Sequence, residues 1–340
     1  KHNIEYDPNE PFKRTIETID KSIKSYNPDL IYAPAANTLD TKTLKYLKKE
    51  NPSAKWVVYY GANPTNSSIK EAFRHYDGVL TGWKPILRHL KNISIRTQYL
   101  PHYFDDKLAD EVASENPPIL HELSFSGTLS QGGDEFNQRR EFLDAIAKAL
   151  PLTLFANIPE GQKQSIQSFI IKIKGILYDI AHSQRTTISN LPIIRRYGSL
   201  SQRPNTDAFI SKRLSSIARP PVFGKDYYKT IRQSKISLNA YINANIWRGK
   251  AGPLCGNVRT FEITGNGSCL LTQDAENVRD YFEPDEEIVT FSTPEELIDK
   301  ARHLLENDGT RAEIARRGRE RAYREHSLSL RAPQLEHCFR

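Results

Sequence analysis

Methionine is missing altogether from this chain of 340 residues. A sequence this long normally carries several, so motif spacings are read with a tolerance of one residue. The opening Lys1-His-Asn reads as an interior point of a longer chain. Cysteine is scarce too. Cys255, Cys269 and Cys338 are an odd number without a CxxC pair, which argues against a disulfide framework or structural zinc and for a reducing compartment. No apolar run approaches the roughly 20 residues of a membrane span, and no signal peptide stands at the start. No block of roughly five or six basic residues marks a nucleic-acid arm, so nucleic acid is not expected as a partner. No segment recurs at a solenoid period. The expectation is a cytoplasmic protein.

What is there suits two globular cores. Hydrophobic residues make up 38% and charged residues 26% of a length greater than one core usually serves, so two domains are expected. The net charge of +7 and isoelectric point near 9.1 favour anionic partners. Nucleotide phosphates, acidic glycans and the peripheral face of an anionic membrane all qualify.

Along the chain, short apolar runs alternate with amphipathic stretches. Strands are expected at 28–34, 55–61, 77–81 and 96–102, with helices at 39–49, 69–76 and 85–90 between them. Residues 105–118 are acidic, end in Pro117-Pro118 and read as a linker. A second series follows, with strands at 122–127, 152–156, 235–239, 268–272 and 287–291. Its helices fall at 137–150, 226–233, 275–282, 294–306 and 310–324. Residues 158–219 break the alternation and read as an insertion that includes a helix at 166–180. Strands alternating with helices imply parallel sheets covered on both faces.

One stretch, Gly256 to Thr272, carries the most chemistry. Asn257 suits a helix cap, and Arg259 and Glu262 lie one turn apart near the helix start. Gly265 and Gly267 end the helix ahead of a buried strand. A helix N-terminus with a cation beside it suits a pyrophosphate. Glu262 would then sit near that anion, and its natural partner is a pair of sugar hydroxyls. A capped surface helix with an Arg–Glu ion pair is the alternative that the stretch alone leaves open.

Asp226-Tyr-Tyr, Ser234-Lys-Ile-Ser-Leu-Asn239, Asn257-Val-Arg-Thr-Phe-Glu262, Leu270-Leu-Thr272, Tyr281-Phe-Glu-Pro, Glu286-Glu-Ile-Val, Glu295-Glu-Leu-Ile and Ile314-Ala-Arg-Arg-Gly318 follow in order. Together they resemble the C-terminal half of GT-B glycosyltransferases of the "glycosyl transferases group 1" kind, such as the CgeB-like proteins. The resemblance is specific over about 221–331. It implies an α/β fold of GT-B architecture, two Rossmann-like domains whose parallel sheets face across a cleft. Residues 1–105 would be the acceptor-side domain, truncated at its N-terminus, and 106–118 the linker. Residues 119–331 would bind the nucleotide-sugar, with the insertion at 158–219, and 332–340 would return to the first domain. The implied activity is transfer of a sugar from a nucleotide-sugar to a glycan, lipid-linked or protein acceptor. A nucleotide-sugar 2-epimerase on the same fold and a non-catalytic glycan- or nucleotide-binding module are the alternatives.

Glu262 matches the second Glu of the family's Glu-x7-Glu motif, which usually binds ribose. The first Glu falls at Leu254, a departure that leaves the donor sugar and the stereochemical course undefined. The donor side would further include Gly127, Thr128, Gly224, Lys235, Tyr241, Asn257 and Arg259. Gly127 is either a close approach to phosphate or a turn glycine, and Lys235 either a phosphate cation or a solvated strand end. Gly224 either offers backbone to the base or makes a tight turn. Tyr241 and Trp247 either stack on ligand or pack. His102, beside the cleft, is the general-base candidate, with a hinge residue as its alternative. Asn63 and Trp83 are acceptor-side candidates. No DxD pair occurs in the cleft segments, so no metal or other cofactor is implied, and Arg, Lys and helix dipoles would stabilise the leaving nucleoside diphosphate.

Overall fold

The computed structural model describes residues 13–33, 39, 41–61, 71–129, 137–158, 210–241 and 254–338. Asn63, Trp247 and the helix expected at 166–180 lie outside them. The chain opens with α1 (Lys13–Tyr26), β1 (Leu30–Ala33), α2 (Thr41–Glu50), β2 (Lys55–Tyr59), β3 (Gly78–Thr81), α3 (Lys84–Asn92) and β4 (Thr97–Tyr99). The four strands lie parallel in the order β1-β2-β3-β4. In β2 every residue after Lys55 is buried, as a parallel strand covered on both faces requires. Trp56, Val58 and Val79 point to the face carrying Ile23, Leu44, Leu47, Ile86 and Leu90. Val57, Tyr59 and Leu80 point the other way.

Residues 105–118, whose acidic composition reads as a linker, join the two sheets and contain a packed helix. Asp105 caps α4 (Asp106–Ser114), its Oδ1 accepting from the Leu108 amide at 3.0 Å. Ala109 and Val112 are buried beside Tyr228 and Ile231. The acidic residues face lysines: Glu115 pairs with Lys225 at 2.7 Å and Lys229 at 3.1 Å.

The second sheet is built from β5 (His121–Thr128), β6 (Leu152–Asn157), β7 (Ala218–Arg219), β8 (Ser234–Asn239), β9 (Cys269–Gln273) and β10 (Val289–Phe291). All pairings are parallel and the order is β10-β9-β8-β5-β6-β7. Around it lie α5 (Asn137–Ala149), α6 (Lys212–Ile217), α7 (Gly224–Arg232), α8 (Val258–Gly265), α9 (Pro294–Glu306) and α10 (Asp308–Glu325), and α11 (Leu328–His337) follows them in the chain. Two further expectations need correction. Residues 210–219 belong to the core, not to an insertion: Ile210 and Leu214 are buried in it and β7 pairs with β6. The helix expected at 275–282 shortens to one 3-10 turn, Val278–Asp280. There Asn277 is diverted to the Cys255 backbone, accepting from its amide at 2.7 Å and donating to its carbonyl at 3.0 Å.

The chain crosses between the sheets twice, side by side. Phe104 donates to the His326 carbonyl at 3.1 Å, and Leu328 donates to the Phe104 carbonyl at 2.8 Å. Leu335 and Cys338 then pack on the first sheet's Val57/Tyr59/Leu80 face. Among the described residues no helix is long and apolar enough to cross a membrane.

Candidate functional site

The second sheet reverses direction between β5 and β8, because the chain builds outward from β5 on one side and from β8 on the other. Loops leaving two such strands diverge and open a crevice at their carboxyl ends. Here those ends are Gly127-Thr128 and Asn239-Ala240. Arg139 of α5 ties them together. Its Nε donates to the Ala240 carbonyl at 2.8 Å and its Nη1 to the Thr128 carbonyl at 3.0 Å. The guanidinium is buried beside the Phe125 ring, 5.7 Å from its centroid. Burial, with Arg259 nearby, pushes its pKa down to about 9.

Arg259 crosses the same crevice from α8. A Cβ built on Gly127 would stand 3.3 Å from Arg259 Nη2 and 2.8 Å from the Phe125 ring. Glycine at 127 therefore leaves room for the cation over the end of β5. Helix α8 is held with its N-terminus at the crevice. Asn257 caps it, accepting from the Thr260 amide at 3.2 Å. The Asn257 amide also exchanges hydrogen bonds with Asn239, at 3.1 and 3.2 Å. Buried Asn239 reaches Thr272 of β9 at 3.3 Å as well, fixing the helix start to two strands. Before it, Gly256 has φ +109, and a Cβ there would meet the Tyr281 ring at 2.9 Å. The free amides of the first turn and the Arg259 cation make an electropositive mouth.

Glu262 follows one turn later. Burial raises its pKa to about 7, against the opposing pull of Arg259 and Tyr227. The Tyr227 hydroxyl, buried close by, is the hydrogen-bond donor that opposes this rise. A carboxylate held short of hydration is suited to receiving hydroxyl donors from a ligand.

Across the molecule, His102 follows β4 at the carboxyl end of the first sheet. Its ring lies 4.3 Å from that of Tyr59, and its Nε2 would stand 3.5 Å from a Cβ on Gly61. Burial pushes its pKa down to about 4, so the imidazole is neutral at physiological pH. Gly82 links this end to the second sheet. Its amide donates to the Tyr59 hydroxyl at 3.1 Å, and its carbonyl accepts from the Tyr281 hydroxyl. Tyr281 packs edge-on against Phe261 of α8, with ring centroids 5.4 Å apart. Lys84 pairs with Asp280 at 2.6 Å beside this contact.

The crevice thus gathers Gly127, Thr128, Asn257, Arg259 and Glu262. Asn257's side chain is spent on the cap and on Asn239. Thr128 offers an exposed side chain, its carbonyl being taken by Arg139. Gly224, with φ +53 and open space around it, starts α7 one turn before Tyr227. Three expected ligand contacts are corrected. Lys235 opens β8 at the amino end of the sheet, opposite to the crevice, and pairs with Glu122 at 2.9 Å. Tyr241 is fully buried, its hydroxyl accepting from Thr272 at 3.2 Å, so no face is free to stack. Trp83 is buried in the first sheet's core. Leu254, where the resemblance expects a carboxylate, is buried in that same core cluster. The sequence reading gave no role to Arg139, for which only the Arg139-Arg140 pair in a helix's first turn offered a signal, and named Asn239, Tyr227 and Tyr281 only within the runs that carry the resemblance. Among the described residues no three His, Cys, Asp or Glu side chains group to hold a metal ion.

Residues 196–337 match the family described as glycosyl transferase-like. Over this part the chain is similar to glycosyltransferase-like domains. The whole has the GT-B fold. Sucrose-phosphate synthase from Thermosynechococcus elongatus superposes with a TM-score of 0.57 at 12% identity, over 99% of this chain and 80% of that one. HepE of Anabaena in complex with UDP gives 0.53 at 13% identity, over 97% and 83%. OtsA gives 0.56 at 12%, over 99% and 79%. A search of curated sequences finds no significant match. The matched family segment contains α7, β8, α8 and β9, and so Arg259, Glu262 and Tyr227. Arg139 and Gly127 lie before it, and the fold alone brings them to the same crevice.

Proposed function

We propose that the protein is a glycosyltransferase whose second sheet binds a nucleoside diphosphate sugar. The carrying observation is that Arg259 and Glu262 sit one turn apart on a capped helix whose N-terminus faces the β5/β8 reversal. Arg259 and the first-turn amides take the pyrophosphate, and Glu262 accepts the ribose hydroxyls. HepE, which shares the fold, is solved with UDP and with UDP-glucose, so UDP is the first probe. The leaving diphosphate is neutralised by Arg259 and the helix dipole, without a metal ion or other cofactor. His102, neutral above about pH 4, takes the acceptor's proton from the first sheet's side. The acceptor is a glycan, a lipid-linked sugar or a protein. Three free cysteines suit a cytoplasmic enzyme.

Calorimetric titration with UDP and uridine tests this reading. Hydrogen bonds to a charged group contribute roughly 1.5–3 kcal/mol. Glu262→Ala should therefore weaken both ligands by about ten- to a hundredfold. Arg259→Ala should weaken UDP and leave uridine nearly unchanged. Binding by the parent should tighten as pH rises through about 7, because Glu262 must be ionised to accept two hydroxyls. A folded Glu262→Ala variant that binds UDP as tightly as the parent removes the assignment. Leu254 in the carboxylate's place favours a non-catalytic binding module as the second reading, and release of sugar from UDP-glucose by the parent would exclude that.

A further inference from the structure

We propose that the outward face of α1 and α2 docks on an anionic lipid surface. The chain's charge is unevenly placed. Residues 1–104 hold sixteen Lys and Arg against ten Asp and Glu, which puts +6 of the net +7 on less than a third of the length. In the second half many of the described cations are neutralised where they stand. Arg316 and Arg317 sit on Glu313, Arg321 on Glu325, Lys229 on Glu115 and Lys300 on Glu296.

On α2 Lys48 is paired with Asp77 at 2.9 Å, but the outward lysines are not. Lys42, Lys45 and Lys49 recur at helical spacing, so they form one stripe about 10 Å long. All three are exposed, and among the described residues none is paired with a carboxylate. The opposite side of the helix is committed: Leu44 and Leu47 are buried in the sheet core with Ile23 of α1. Lys24 joins the two helices, pairing with Asp20 at 2.7 Å and Glu50 at 3.8 Å, with Tyr46 beside it. Lys21, exposed and without a carboxylate partner among the described residues, extends the charge onto α1.

Tyr46, 48% exposed, stands among these lysines, and Tyr26, 82% exposed, ends α1. A duplex phosphate backbone or an acidic protein surface gains little from an exposed tyrosine, and no block of basic residues marks a nucleic-acid arm. At a lipid interface an exposed tyrosine is favoured, because the ring enters the headgroup boundary while the hydroxyl stays wet. Lysines on a flat helical face gain from the negative surface potential at the same time. Charge and aromatic exposure together therefore select a lipid surface over a nucleic acid or an acidic protein. If the first sheet is the acceptor side, as proposed above, this face favours the lipid-linked class of acceptor.

Flotation of the purified full chain with vesicles tests the docking independently of nucleotide binding. Phosphatidylcholine vesicles should leave the protein behind. Vesicles with phosphatidylglycerol added should carry it, less so as salt rises. Each lysine near such a surface contributes enough that removing three should weaken partitioning roughly a hundredfold. The triple variant Lys42→Glu/Lys45→Glu/Lys49→Glu should therefore stay behind, with an unchanged melting temperature. Tyr26→Ser/Tyr46→Ser should lower binding severalfold and leave retention on a heparin column unchanged. Parent protein that fails to float overturns the proposal, and so does a triple variant that floats like the parent. Floating that is indifferent to the tyrosines overturns it too, because that result describes a general polyanion site.

Discussion

The two sheets of this molecule are assembled from the same strand–helix unit, and the order of their strands separates their uses. The first runs β1-β2-β3-β4 without reversal among the described residues, whereas the second turns back between β5 and β8. Only the second therefore opens a crevice of its own, and there the buried arginine, the capped helix and the raised carboxylate converge. The first sheet brings its carboxyl end, with Gly82 and His102, against the second through Tyr281. Its charge lies on its outer helices. A reversal in strand order thus makes a ligand site from a sheet, and a sheet without one contributes by contact.

The strongest way to break this comparison is Arg139→Ala. It leaves the Thr128 and Ala240 carbonyls without their donor at the point where the two strands diverge. Each buried unsatisfied group costs about 1–3 kcal/mol, so a loss of about 3 kcal/mol or more is expected in urea unfolding, together with loss of UDP binding. A variant as stable as the parent would show that the crevice holds itself open without the arginine. Tyr281→Phe tests the contact between the sheets. It removes one hydrogen bond to Gly82 and should cost about 1–2 kcal/mol. UDP affinity should stay within about twofold, since the crevice is built from the second sheet alone. A large drop in UDP affinity would mean that the first sheet shapes the donor site.

Much of this was readable from residues in line. Lys55-Trp-Val-Val-Tyr59, apolar throughout after its lysine, signals a strand buried on both faces. Asn257 ahead of Arg259 and Glu262 signals a capped helix start, and both features are present. The errors came where a side chain's partner is distant in sequence. Arg139 finds acceptors 11 and 101 residues away, and both are backbone carbonyls, which no residue type announces. The helix inside the segment read as a linker went unseen because the lysine partners of its acids, on α7, lie over a hundred residues later. Tyr241 shows the same limit: an aromatic residue after a strand is equally consistent with a ligand platform and with core, and only packing decides. Lys235 was misplaced for another reason. In a parallel sheet the first residue of a strand lies at the end away from the crevice, so its direction already argued against a ligand role.

Glu262 offers a smaller and opposite effect. Its pKa stands at about 7 against 4.5 for an unburied glutamate, so the ionised form is penalised in the folded protein. The protein loses stability as pH rises from about 4.5 to about 7, and above that window the penalty is complete. The full shift corresponds to roughly 3 kcal/mol. The side chain is only half-buried, so about 1–2 kcal/mol is a fair expectation after solvent screening. Glu262→Gln should therefore stabilise the ligand-free protein by that amount at pH 8, change little at pH 4, and still weaken UDP. Equal melting temperatures of parent and variant at pH 8 would show that the carboxylate is well hydrated and that its environment is not a prepared ribose site.

The smallest expected effect belongs to Lys235, and it sharpens the comparison between the two ends of one sheet. Strand residues rise about 3.3 Å each, so Lys235 lies roughly 13 Å along β8 from Asn239 and the crevice. Its ion pair with Glu122 is partly exposed, and such pairs contribute between about 0 and 1 kcal/mol. Lys235→Ala should shift stability by no more than about 0.5 kcal/mol. At that distance, with water between, one charge is nearly screened at ordinary ionic strength, so UDP affinity should change less than twofold. Arg259→Ala carries the same loss of one positive charge at the other end of the sheet and should weaken UDP by at least tenfold. Titrating both variants side by side at two salt concentrations separates position from net charge. Equal losses in the two would mean that UDP responds to overall charge rather than to the mouth of α8.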